Sequence, residues 1–230
     1  MKSEFEKSLE NPHSPIAIDF SSNYRSLLIA FGGIAGKMGM TPFEFFNLSK
    51  GFDVNRIYVR DLAQVWYHQG LAGVADDIDG VVVFLREKIS QSHASKVILV
   101  GNSMGGYAAI LFGILLDADI VHAFSPQTFI DRLHRFRYFD RRWRKQIQNT
   151  YRLAGKKYFD LRTVLHDNHK ELKCKINIFY SYSHRLDGAH ADRLSSLPNV
   201  ELHAFKRGGH RLVRHLRDTG ELNKIINRSL

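Results

Sequence analysis

The chain predicts an α/β fold, with a mostly parallel central sheet covered by helices on both faces. Apolar, β-branched runs recur at Ile16 to Phe20, Ser26 to Phe31, Arg56 to Arg60, Lys96 to Val100, Asp119 to Phe124, Ile176 to Tyr182 and Val200 to Phe205. Helical periods fall between them, notably at Ala75 to Ile89 and Tyr107 to Leu116. No internal repeat or low-complexity linker divides the 230 residues, so a single domain over 1–230 is expected.

Met1 to about His13 is polar and reads as loosely ordered; it mixes charges and lacks the apolar core of a secretory leader. The first two apolar runs read as strands. Gly32-Gly33-Ile34-Ala35-Gly36 then forms a glycine-rich loop. Thr41-Pro42-Phe43-Glu44 has the form of a helix start, with Thr41 as N-cap, Pro42 first and Glu44 third. Ala75 to Ile89 is amphipathic and carries Asp76, Asp77 and Asp79 in its first turn, where the helix dipole favours them. Gln127 to Lys170 is basic, aromatic and helical in period: Trp143, Ile147 and Tyr151 share one face. It is expected as a helical, lid-like insertion. A short helix is expected from Ala189 to Leu197, and a closing helix from Arg211, broken near Gly220.

A hydrophobic content of 44% and a charged content of 24% suit a globular protein. No apolar run approaches the ~20 residues that span a bilayer. The one cysteine, Cys174, excludes an internal disulfide, reads as structural, and makes the cytoplasm the simplest location. The net charge is +10, with Arg132, Arg135, Arg137, Arg141, Arg142, Arg144, Lys145, Arg152, Lys156 and Lys157 crowded in the insertion. That crowding admits an anionic substrate or surface as partner. Nucleic acid is argued against by the lack of zinc-ligand spacing, an RNP-type motif or a Walker loop. No cofactor is implied, and oligomeric state is not legible.

The richest stretch is Lys96-Val97-Ile98-Leu99-Val100-Gly101-Asn102-Ser103-Met104-Gly105-Gly106. A strand enters a Gly-x-Ser-x-Gly turn and a helix leaves it, the context of a nucleophile elbow. Ser103 is therefore the candidate nucleophile. A serine hydroxyl needs a base within hydrogen-bond reach and a third group to orient that base. Of 12 histidines, His210 is placed best, in a glycine-marked loop after the last strand. Asp187 follows the preceding strand in the same way, with Asp192 as the competing acid. Loops at strand carboxyl ends are where α/β sheets place reactive groups.

By these residues the chain resembles the α/β-hydrolase superfamily, whose order of nucleophile, acid and histidine is matched by Ser103, Asp187 and His210. The resemblance implies that Ser103 attacks a carbonyl, His210 is general base and then acid, and Asp187 orients the imidazole. It also implies an oxyanion hole made by the backbone N–H groups of Gly33 and Met104, with Ile34 on the same loop as a second donor or substrate contact. Many members carry His-Gly at that loop, and this chain has Phe31-Gly32. In the family, lids are commonly inserted where Gln127 to Lys170 falls.

Asp61, Trp66, Tyr67 and His68 lie in a loop at the same end of the sheet. Trp66 and Tyr67 are candidate substrate contacts; a packed loop is the competing expectation. A metal site from Asp61 and His68 lacks a third ligand. The expected activity is hydrolysis of an ester or thioester, from a small-molecule or glycan-linked acyl substrate, through an acyl-enzyme. The alternatives are an acyltransferase with the same triad, and a non-catalytic module that docks on an acidic polymer or membrane.

Overall fold

The computed structural model describes residues 2–34, 43–153, 155, 157–168 and 172–230. Seven strands form one sheet: β1 (Ile16–Asp19), β2 (Ser26–Phe31), β3 (Asn55–Val59), β4 (Lys96–Asn102), β5 (Ile120–Phe124), β6 (Lys175–Ser181) and β7 (Val200–Phe205). Their order is β1-β3-β2-β4-β5-β6-β7. β1 runs antiparallel to β3, and every other pairing is parallel.

The helices are α1 (Glu4–Glu10), α2 (Phe46–Ser49), α3 (Ile78–Ser92), α4 (Met104–Leu116), α5 (Arg132–Arg137), α6 (Arg144–Leu153), α7 (Leu161–Asn168), α8 (Arg185–Asp192), α9 (Leu212–Asp218) and α10 (Glu221–Asn227). Side chains of β2 alternate between the two faces. Leu27, Ile29 and Phe31 pack with residues of α3, α4 and α7, while Leu28 and Ala30 pack with residues of α9 and α10. Burial on both sides is why these strands read as continuous apolar runs.

Three expectations are corrected. The N-terminal segment is ordered as α1, because Ser3 and Glu6 make a reciprocal capping box and the Phe5 ring stacks on Tyr58. The helix expected from Ala189 begins at Arg185, where the His184 side chain accepts the Asp187 N–H as N-cap. Glu44 precedes α2 instead of lying in its first turn, and Phe45 at φ 64 separates them. Thr41 and Pro42, with Ala35, Gly36, Lys156 and Lys170, lie outside the described residues.

β3 follows β2 on one side and β4 lies on the other, so the sheet changes direction between β2 and β4. The loops after Phe31 and after Asn102 therefore emerge side by side, at the crevice where open α/β sheets bind ligands. No helix among the described residues is long and apolar enough to cross a membrane.

His68, His122 and His190 are buried, and burial pushes each pKa down to about 4 from 6.5. As pH falls through 6.5 the unfolded chain takes up protons that the folded chain refuses until about 4. Stability then declines with acidification across that window. Calorimetry at stepped pH should show the melting temperature falling there, and His122→Asn should flatten the slope.

Candidate active site

Ser103 joins β4 to α4 at φ 56 and ψ −115, a conformation that L-residues rarely adopt. Its N–H donates to the Phe124 carbonyl at 2.9 Å, and its own carbonyl accepts from the Tyr107 N–H at 3.0 Å. Such a turn demands close backbone approach. A Cβ on Gly101 would stand 2.0 Å from the Gly105 carbonyl oxygen, and one on Gly105 would stand 2.2 Å from that of Phe31. Only glycine fits either position.

His210 lies in a 3-10 turn, Gly209–Arg211, after β7, reached through Gly208 at φ 106. Its Nε2 is 3.2 Å from Ser103 Oγ. Its Nδ1 is 2.9 and 3.0 Å from the two carboxylate oxygens of Asp187. Asp187 sits in the first turn of α8 with a fully buried side chain. Burial opposes its ionisation, yet the hydrogen bond from His210 and the charges of His210, His184 and Arg142 hold its pKa below the ordinary carboxylate range. Asp192, the competing acid, ends α8 and takes no part in this line.

Sequence reasoning missed the group on the far side of the acid. Arg142 Nη1 donates to Asp187 Oδ1 at 3.0 Å. The same guanidinium reaches Asp140 through Nε at 3.0 Å and Nη2 at 2.8 Å. Asp140 also lies 3.1 Å from His190 Nε2. Because His190 Nδ1 accepts the Thr128 N–H at 3.0 Å, Nε2 carries the ring proton and donates to Asp140. Burial opposes the Asp140 charge, but His190 and Arg142 hold its pKa far below the usual range. The stretch between β5 and β6 is thus bound to both ends of α8 through buried charge.

A cavity of about 770 Å³ opens on Ser103 and His210. Gly33, Ile34 and Glu44 line it near the β2 loop, Trp143 from the insertion, and Arg211 and Arg214 beyond the histidine. Two buried polar atoms in this wall, Asn102 Oδ1 and Trp143 Nε1, have no hydrogen-bond partner among the described residues. The Met104 N–H opens α4 and has no intrahelical acceptor. The Gly33 N–H faces the Glu44 carboxyl, whose pKa burial pushes up to about 7 against that hydrogen bond.

Trp66 and Tyr67 require a correction: both are fully buried and neither lines the cavity. Trp66 Nε1 donates to Gln127 Oε1 at 3.1 Å, and the Tyr67 hydroxyl donates to the Gly32 carbonyl at 2.9 Å. Asp61 accepts the N–H groups of Ala63, Gln64, Val65 and Tyr67, which folds this loop into the core. Tyr67 therefore braces the β2 loop from behind. Arg135 and Arg142 of the insertion are likewise turned inward, onto the Arg142 carbonyl and Asp140 and onto Asp140 and Asp187. Cys174 is buried, its thiol pushed up to about 12 by burial.

Ligand atoms of His184, Asp187 and His210 lie within 4.8 Å of one another, close enough to surround a metal ion. Arg142 already supplies positive charge to that carboxylate, which works against adding a dication there.

A seven-stranded, largely parallel sheet with a strand–turn–helix serine at its switch point defines the architecture of the α/β hydrolases, and the chain has that fold. No protein-family model matches it, and no curated protein does. Solved structures resemble it at low identity. The capsule O-acetyltransferase of Neisseria meningitidis serogroup A aligns with a TM-score of 0.67 and 15% identity, over 90% of this chain and 89% of its own. A lipase-esterase related protein from Clostridium acetobutylicum aligns at 0.58 and 15%, over 94% and 98%. An α/β hydrolase enzyme from a lagoon-sediment metagenome of Mar Chica, Morocco, aligns at 0.54 and 15%, over 92% and 95%.

Proposed function

We propose that the chain is a serine hydrolase that cleaves an ester or thioester through an acyl-enzyme. The observation that supports this most is the line from Ser103 Oγ through His210 to Asp187, with contacts of 3.2, 2.9 and 3.0 Å. Neutral His210 with its proton on Nδ1 donates to Asp187 and leaves Nε2 free to accept from Ser103. As Ser103 Oγ bonds to the carbonyl carbon, its proton passes to His210 Nε2. The tetrahedral intermediate then collapses, and that proton goes to the leaving oxygen or sulfur. A water repeats the sequence and releases the acid.

The negative oxygen of the intermediate would be met by the N–H groups of Met104 and Gly33, each such donor being worth about 3 kcal/mol where removal has been measured. At Gly33 the substrate oxygen would replace the Glu44 carboxyl as acceptor of the N–H.

An acyltransferase is the second reading, favoured by the similarity to a capsule O-acetyltransferase. There an acceptor hydroxyl, in place of water, takes the acyl group from Ser103. Partition of product between free acid and acylated acceptor distinguishes the two. The test common to both is labelling by a fluorophosphonate: the wild type is expected to label at one site and Ser103→Ala to remain blank. A wild type that does not label, or a variant that labels equally, removes the basis of the proposal and leaves a non-catalytic module.

A further inference from the structure

The basic residues at the mouth of the cavity do not come from the insertion. They come from the turn and helix that follow His210: Arg211, Arg214 and Arg217 all line the cavity that holds Ser103. Arg214 and Arg217 lie three residues apart on α9, with Arg211 three residues earlier at its N-cap, while Leu212 and Leu216 are buried in the core. The step from Arg214 to Arg217 is a little under one helical turn, a rise of about 4.5 Å.

A row of arginines on a helix is ordinarily a solvated face. Two observations separate this one. Arg217 is held by Asp218 at 2.9 and 3.1 Å, but neither Arg211 nor Arg214 has an acidic partner among the described residues. The one carboxyl in the same wall among the described residues, Glu44, is pushed by burial towards its neutral form. The cavity thus gathers two guanidinium groups, Arg211 and Arg214, beside Ser103 with no acidic partner among the described residues. Independently, the indole N–H of Trp143, a residue that lines the cavity, is a buried donor with no acceptor among the described residues. A buried donor without a partner is costly, and a ligand oxygen would satisfy it.

We infer that Arg211 and Arg214, with the Trp143 N–H, form an anion subsite of the Ser103 cavity, so that the substrate is an acyl ester or thioester bearing a phosphate or carboxylate. The inference rests on the hydrolase or acyltransferase reading of the same site. Guanidinium groups suit either anion, because their N–H fork matches paired anionic oxygens. Arg211 adjoins His210, so the anion lies within roughly one to two helical turns of the scissile carbonyl. Phe45, Leu48 and Val213 also line the cavity and give it apolar surface, which suits a short acyl or linker chain.

Two matched pairs of substrates test it and locate the anion. Butyryl-coenzyme A against S-butyryl-N-acetylcysteamine places phosphate on the leaving group. The 4-nitrophenyl monoester of glutarate against 4-nitrophenyl pentanoate places carboxylate on the acyl chain. The wild type is expected to favour the anionic member of at least one pair in kcat/KM by about tenfold or more, the scale of a charge-assisted hydrogen bond. That preference should shrink between about 50 mM and about 500 mM salt as screening grows. R211E/R214E should abolish or invert it, R211Q/R214Q should weaken it, and Trp143→Phe should reduce it further while keeping the ring. The glutamine pair serves if the charge reversal fails to fold. Loss of fluorophosphonate labelling in the wild type would overturn the catalytic reading. Intact labelling, with a ratio near one that neither salt nor the variants change, would overturn the subsite alone.

Discussion

Ser103→Ala and His210→Ala should each lower kcat by about 10⁶-fold, with the double variant losing no more than either alone. The reason is geometric. At 3.2 Å, Ser103 Oγ and His210 Nε2 are arranged to share one proton-transfer step, so removing either end removes the step. Asp187→Ala should cost less, about 10⁴-fold, since the imidazole remains present but loses its orientation and the charge that stabilises its protonated form. Some turnover above the uncatalysed rate should persist in all three variants, because the backbone donors proposed at Met104 and Gly33 are untouched by side-chain changes. Stopped-flow or endpoint hydrolysis of a chromogenic ester checks the series, and additive losses in the double variant would show that the two residues do not act as a unit.

Arg142→Met should destabilise the protein by about 3–5 kcal/mol, the range for removing one member of a buried ion pair. Asp140 and Asp187 have side chains 1% and 0% exposed, and both would lose the guanidinium that lies between them. For a chain of this length that loss corresponds to a fall in melting temperature of roughly 10 °C. Asp140→Asn in the same chain should recover part of it, because one of the stranded charges is then gone. Arg142→Lys keeps the charge but cannot span both carboxylates, and should fall between. The change should also reach catalysis. Without Arg142, Asp187 offers its full charge to His210, which favours the imidazolium, so the acidic limb of the kcat/KM profile should move to higher pH. A residue that only filled space would leave that limb in place.

The strands were legible because β2, β4 and β5 are buried on both faces and leave unbroken apolar runs. Ser103 was legible because close backbone approach forces glycine at 101 and 105, a constraint written directly into the chain. Arg142 was not. It is one of twelve basic residues between Gln127 and Lys170, and its partner Asp187 is 45 positions away, so only the fold distinguishes it from its solvated neighbours. Trp66 and Tyr67 misled for a related reason: an aromatic pair in a polar loop has the same composition whether it meets a ligand or braces the core, and Asp61 turned it inward. Two signals were present and readable, the Ser3 to Glu6 capping box and the three-residue arginine spacing from Arg211 to Arg217.

The bridge from Asp140 through Arg142 to Asp187 also joins the stretch between β5 and β6 to the acid that contacts His210. A molecule with its sheet assembled but its insertion undocked would carry Ser103 on a finished elbow, with an acid held from one side only. The carboxylate that faces His210 is thus held from two separate parts of the chain, α8 and the stretch that carries Arg142.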